Sequence, residues 1–173
     1  MADLRLPGIL KATRVSILAI CLLVPAACFT GSSGDQHLEW LTFDRGIAKA
    51  KQTNRKVLID VYTDWCGWCK RMEADTYSDK GVAAYLKAHY VLVRLNAESD
   101  AGLTYEGKSY TERTFAEYFG VNGYPTTLFL KPDGQPITRY PGYADAKRFG
   151  KVLSFIGEDY YQKVKFDDYL AAP

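Results

Sequence analysis

The sequence predicts an α/β domain, and three stretches carry that expectation. Residues 56–62, Lys-Val-Leu-Ile-Asp-Val-Tyr, form a continuous apolar and β-branched run that leads directly into Cys66-Gly67-Trp68-Cys69. Two helix-compatible stretches and a second apolar run over 90–95 follow, so strand, helices and strand succeed one another as in a parallel crossover. Further on, 126–130 and 137–140 flank Pro132-Asp133-Gly134-Gln135, which is turn chemistry between antiparallel strands.

At 173 residues, 47% apolar and 24% charged, the chain has room for one ordinary core. We assign 1–28 to a signal peptide, 29–39 to a flexible linker and 40–173 to the domain. Arg5, Lys11 and Arg14 precede an apolar stretch over 15–24, and the small residues Ala26 and Ala27 follow it. That stretch is shorter than the roughly 20 residues that span a bilayer and suits an export signal better than a permanent anchor. Two ways of processing it stay open. Pro25-Ala26-Ala27-Cys28 resembles a bacterial lipoprotein box, which would lipidate Cys28 and tether the protein to a membrane. Alternatively, Val24 and Ala26 satisfy the small-residue rule for ordinary cleavage. Either way the expected location is the periplasm. Removing 1–28 takes away three of the 22 basic residues and one of the 20 acidic ones, which leaves a near-neutral domain without a basic run. A nucleic-acid partner is not expected.

The elements follow in order. Gly31 to Asp35 has linker composition. Phe43, Ile47 and Ala48 fit the apolar stripe of a short helix ending near Thr53-Asn54. The run over 56–62 is too continuously apolar for an edge strand. A helix is expected over 67–77, then one capped by Ser78 with Val82, Ala83, Leu86 and Ala88 inward, then the strand over 90–95. Residues 96–110 read as a solvated surface loop, with a small hairpin around Gly107 as the alternative. A helix over 111–119 is closed by Gly120. After the 126–140 hairpin, a last helix begins near Ala144 and buries Phe149, Val152, Leu153 and Ile156. The tail beyond Tyr161 has no clear pattern.

The chemistry lies in the C-x-x-C pair. The first turn of a helix leaves backbone N–H groups unpaired, and these stabilise a thiolate at its start. Cys66 is therefore expected to be the exposed, low-pKa nucleophile. Cys69, about one turn further on, is expected to face inward and act as the resolving thiol. Of four cysteines, Cys21 and Cys28 lie at the signal segment, so no structural disulfide framework is expected. Zinc would need two further ligands, for which only His37 and His89 are available, and a c-type haem motif would need His where Lys70 stands. Two non-enzymatic readings remain: a copper(I) carrier using both thiolates, and a module that only binds a partner.

Residues 57–70, ending Thr63-Asp64-Trp65-Cys66-Gly67-Trp68-Cys69-Lys70, resemble the active-site segment of the thioredoxin superfamily. Within it they resemble extracytoplasmic members such as the C-terminal domain of DsbD and the SoxW-like thioredoxins. Gly123-Tyr124-Pro125-Thr126 is similar to the superfamily's cis-proline loop, and Gly142 fits the turn after its last strand. The likeness covers roughly residues 40–158. It implies a thioredoxin fold, a central mixed β-sheet flanked by helices, here with an enlarged loop before the cis-Pro helix. It implies further that Asp60 is a buried proton-relay acid serving Cys69, and that Trp65, Gly67, Trp68, Tyr124 and Pro125 contact the substrate. The redox-active disulfide would need no other cofactor, the substrates would be protein disulfides, and electrons would come from a membrane donor of DsbD or CcdA type. No dinucleotide-binding glycine motif follows a strand, so the chain does not draw on a nicotinamide itself. The sequence departs from the pattern at Trp68, which replaces the proline of Cys-Gly-Pro-Cys, and at Tyr124, which is large for its position. Gly67-Trp68 lacks the histidine that resembles strong oxidants, which favours a reductase over an oxidase or isomerase.

Overall fold

A computed structural model of the protein describes residues 37–171. The signal peptide, Cys28 and most of the expected linker lie outside the described residues. Packing begins at Leu38, which is buried, slightly before the expected domain boundary.

Strand β1 (Trp40–Leu41) is followed by α1 (Phe43–Thr53), β2 (Lys56–Tyr62) and α2 (Gly67–Met72). A π-helical turn (Glu73–Tyr77), α3 (Lys80–His89) and β3 (Tyr90–Asn96) come next. The hairpin strands β4 (Gly102–Tyr105) and β5 (Lys108–Thr111) precede α4 (Glu112–Tyr118). Strands β6 (Thr126–Leu130) and β7 (Pro136–Pro141), then α5 (Ala146–Gly157) and a short α6 (Phe166–Ala171), complete the order.

The main sheet runs β1-β3-β2-β6-β7, with β1, β3 and β2 parallel and β6 and β7 antiparallel. As its continuous apolar run requires, β2 lies in the middle and is covered on both faces. Strand alternation divides the core. Leu58, Leu92 and Phe129 pack with Leu86 of α3 and Phe149 and Leu153 of α5. Val57, Ile59, Val61 and Val93 pack on the other face with Phe43 of α1 and Phe115 of α4. Asp60 shares the face of Leu58, toward α3 and α5, by the same alternation.

Three expectations are corrected. The helix expected over 67–77 is α only to Met72 and then widens into the π-helical turn. That turn carries two polar groups inward: Thr76 Oγ1 donates to the Ala144 carbonyl at 2.7 Å, and the Tyr77 hydroxyl reaches Asp60. The cap of α3 is Asp79, whose Oδ1 accepts from the Val82 N–H at 2.9 Å, because the Ser78 hydroxyl turns back to the Ala74 carbonyl. The last helix begins at Ala146, capped by Asp145.

The third correction concerns 96–110. Glu106 and Gly107, both at positive φ, make the tight turn of a hairpin, and Leu103 and Tyr105 are buried by it. The segment is thus part of the core, because the Tyr105 ring lies against Phe43, Phe115 and Phe119 at 6.1, 5.4 and 5.5 Å between centroids. Tyr105→Ala is expected to destabilise the domain by about 3 kcal/mol, the usual cost of emptying a buried aromatic site. Chemical denaturation should show this loss while the reduction potential of the Cys66/Cys69 pair stays unchanged.

Candidate active site

The site forms where β2 ends. After Tyr62 the chain turns through Thr63, whose carbonyl accepts the Cys66 N–H at 3.1 Å, and Cys66 then caps α2. Its Sγ accepts the Cys69 N–H at 3.0 Å and is bonded to the Cys69 sulfur in a disulfide. The outward sulfur expected for Cys66 is not what this oxidised state shows: Cys66 is 3% and Cys69 8% exposed. The bond to Cys69 draws the Cys66 sulfur in over the first turn of α2. What separates the two sulfurs is therefore not exposure but the backbone N–H aimed at one of them.

Around the disulfide lie the other residues singled out from the sequence. Trp65 and Trp68 are 67% and 54% exposed, and Gly67 between them is open to solvent. The Trp65 ring meets Tyr124 at 5.9 Å, and its Nε1 donates to Glu98 Oε1 at 2.9 Å. Trp68 meets Tyr143 at 5.3 Å, with the Arg71 guanidinium over both rings and held by Asp75 at 3.1 Å. The Tyr124–Pro125 peptide bond is cis, and the Pro125 carbonyl accepts the Gly142 N–H at 2.8 Å. That bond ties the loop bearing Tyr124 to the loop bearing Tyr143. Each tryptophan of the dithiol segment is thus braced by a tyrosine from one of two joined loops.

Asp60 is 2% exposed. Its Oδ1 accepts from the Tyr77 hydroxyl at 3.2 Å and its Oδ2 from Arg94 Nε at 3.3 Å. Burial pushes its carboxyl up to about 6, against the charge and hydrogen bond of Arg94 and the hydrogen bond of Tyr77, which pull it down. Arg94 also pairs with Glu73 at 3.1 Å, so one guanidinium joins a buried and an exposed carboxylate. Sequence reasoning missed Tyr77 and Arg94 as partners of Asp60. Arg94 had a signal, since it is the one charge in an apolar strand and stands opposite Asp60 in the β2–β3 register.

A groove of about 190 Å³ opens beside Cys69, lined by Tyr62, Thr63, Asp64, Lys70, Glu73 and Arg94. His89 stacks on Tyr85 at the end of the sheet away from the disulfide, next to Tyr90, where β3 begins opposite the start of β2. Among the described residues no three His, Cys, Asp or Glu side chains are placed to hold a metal ion. Nor is any described helix long and apolar enough to cross a membrane.

The profile of the thioredoxin-like domain family matches residues 43–157. Among curated proteins, the thiol:disulfide interchange protein DsbD of Ralstonia nicotianae is 33% identical over 107 residues, 61% of this chain and 16% of that protein. DsbD of Vibrio vulnificus is 31% identical over 156 residues, 80% of this chain and 25% of its own length. The chain thus spans a quarter or less of these relatives. A solved thioredoxin from Thermus thermophilus superposes with a TM-score of 0.57 at 26% identity, covering 69% of this chain and 86% of the other. A thioredoxin-fold protein from Helicobacter pylori gives 0.55 at 25% identity, covering 68% and 78%.

Proposed function

This chain belongs to the thioredoxin-like domain family, and from that premise we propose that its Cys66/Cys69 pair works in the reducing direction, on disulfides of exported proteins. It is a thiol–disulfide oxidoreductase. The observation that carries the assignment of roles is the Cys69 N–H directed at Cys66 Sγ, which stabilises negative charge on Cys66 and on no other sulfur. Cys66 is then the attacking thiolate. It bonds to one sulfur of the partner disulfide, whose other sulfur leaves as a thiolate and takes up a proton. Cys69 loses its proton toward Asp60 and attacks the Cys66 sulfur, so the Cys66–Cys69 bond forms and the second partner thiolate leaves. The partner gains two electrons and the pair is oxidised.

Trp65, Gly67, Trp68, Tyr124 and Pro125 surround the disulfide and are proposed to seat the substrate chain. The braced tryptophans offer rigid apolar contact, and the backbone of the cis-proline loop offers hydrogen bonds indifferent to substrate sequence. Electrons to restore the dithiol are proposed to come from a membrane donor of DsbD or CcdA type. The periplasmic location and the lipid on Cys28 rest on the N-terminal sequence alone.

Turnover of a model protein disulfide, with a small dithiol as electron source, tests the reading. Catalysed reduction that disappears in Cys66→Ser is expected. Binding of the disulfide protein without turnover would leave a binding module, and copper(I) held through both thiolates after purification would indicate the carrier.

A further inference from the structure

Thr63 is 1% exposed, and its Oγ1 is fully buried with no hydrogen-bond partner among the described residues. An orphan hydroxyl is costly to bury. It belongs to a residue that lines the groove beside Cys69, whose volume of about 190 Å³ accommodates several waters at about 30 Å³ each. The same groove is lined by Arg94, the partner of Asp60, and by Glu73, the partner of Arg94, while Asp64 and Lys70 lie at its exposed side. An unsatisfied donor and acceptor, the resolving sulfur and the Arg94–Asp60 pair therefore border one small space.

We propose that the Thr63 hydroxyl holds a water in this groove against Cys69, and that this water carries the Cys69 proton to the Asp60–Arg94 pair during resolution. The inference rests on the assignment of Cys69 as resolving thiol. In the mixed disulfide, the Cys69 S–H bond breaks and its proton passes to the held water, which gives up another proton toward the Asp60 carboxylate. The sulfur's electron pair then forms the bond to Cys66, and the electrons of the Cys66–partner bond leave on the partner thiolate. Thr63 touches none of the reacting sulfurs through its hydroxyl, so it is a positioning residue. The groups facing this path are Asp60 and Tyr62 from β2, Arg94 from β3, Glu73 and Tyr77 from the π-helical turn, and Asp64 and Lys70 beside the disulfide.

Thr63→Val keeps the shape and removes the hydroxyl. Because that hydroxyl has no protein partner, the variant should fold with no loss of stability. Reduced protein mixed with one equivalent of an aromatic disulfide releases a coloured thiolate twice. The first release follows attack by Cys66 and depends on concentration; the second follows resolution by Cys69 and does not. In Thr63→Val the second release is expected to slow by roughly 5- to 10-fold, the weight of one hydrogen bond, while the first stays within about 2-fold. Thr63→Ser should restore the second rate, and the slowed step should show an altered solvent deuterium effect. A wild-type second rate in Thr63→Val, or equal slowing of both releases, would overturn the proposal. Failure of wild-type protein to give the first release would instead sink the oxidoreductase mechanism itself.

Discussion

Replacing Cys69 with serine is expected to turn the protein from a catalyst into a covalent trap. Cys66 keeps its position at the start of α2, so it still attacks, but the mixed disulfide has no internal thiol to release it. Partner proteins should accumulate in complexes that a small dithiol dissolves, and recovering them from the exporting cell would identify the substrates. Cys66→Ser should abolish attack altogether. In the reduced wild type, a low concentration of alkylating reagent at neutral pH should modify Cys66 first. Both cysteines are buried in the oxidised state, so this selectivity tests the thiolate argument rather than access. Preferential alkylation of Cys69, or complexes trapped through Cys69 in Cys66→Ser, would reverse the assignment.

Asp60→Asn is expected to affect rate and stability in opposite directions. The resolving step should slow by about 100-fold, the scale of a lost acid–base group, with the first attack little changed. Stability should rise at neutral pH. The carboxyl titrates near 6 in the folded chain against an ordinary value of 3.8, so the fold holds the proton more tightly than the unfolded chain does. The contribution of protonated Asp60 is fully present below about 4 and is lost as pH rises through about 6. That gap corresponds to on the order of 3 kcal/mol, of which Asn should recover a part, since Arg94 keeps Glu73 but loses its charged partner. Melting temperatures of the two proteins should converge below pH 4 and separate in favour of Asn above pH 6. A variant less stable than wild type at pH 7 would show that the Arg94 pair outweighs the burial cost.

Much of this was legible because it is local. The strand over 56–62, the helix start at Cys66 and the hairpin at 132–135 are each written within a few residues, in apolar runs and turn chemistry. The partnership of Tyr77 and Arg94 with Asp60 was not, because it depends on sheet register and on a π-helical turn that a helical periodicity does not distinguish from α. Residues 102–111 misled for a related reason. Leu103 and Tyr105 alternate with polar residues as in any exposed strand, and only the presence of Phe43 and Phe115 beneath them makes that face a core face. β1 escaped notice because two residues carry no period. The burial of Cys66 follows from a covalent bond to Cys69 that spacing permits but does not enforce.

The reduction potential of the Cys66/Cys69 pair tests the central claim most directly, since it decides which way electrons move. Equilibrating the protein with defined thiol–disulfide buffers and counting free thiols should place the pair near the roughly −270 mV of thioredoxin, where the dithiol gives up electrons readily. A value near the roughly −120 mV of DsbA would contradict the account and make the protein an oxidant of exported thiols.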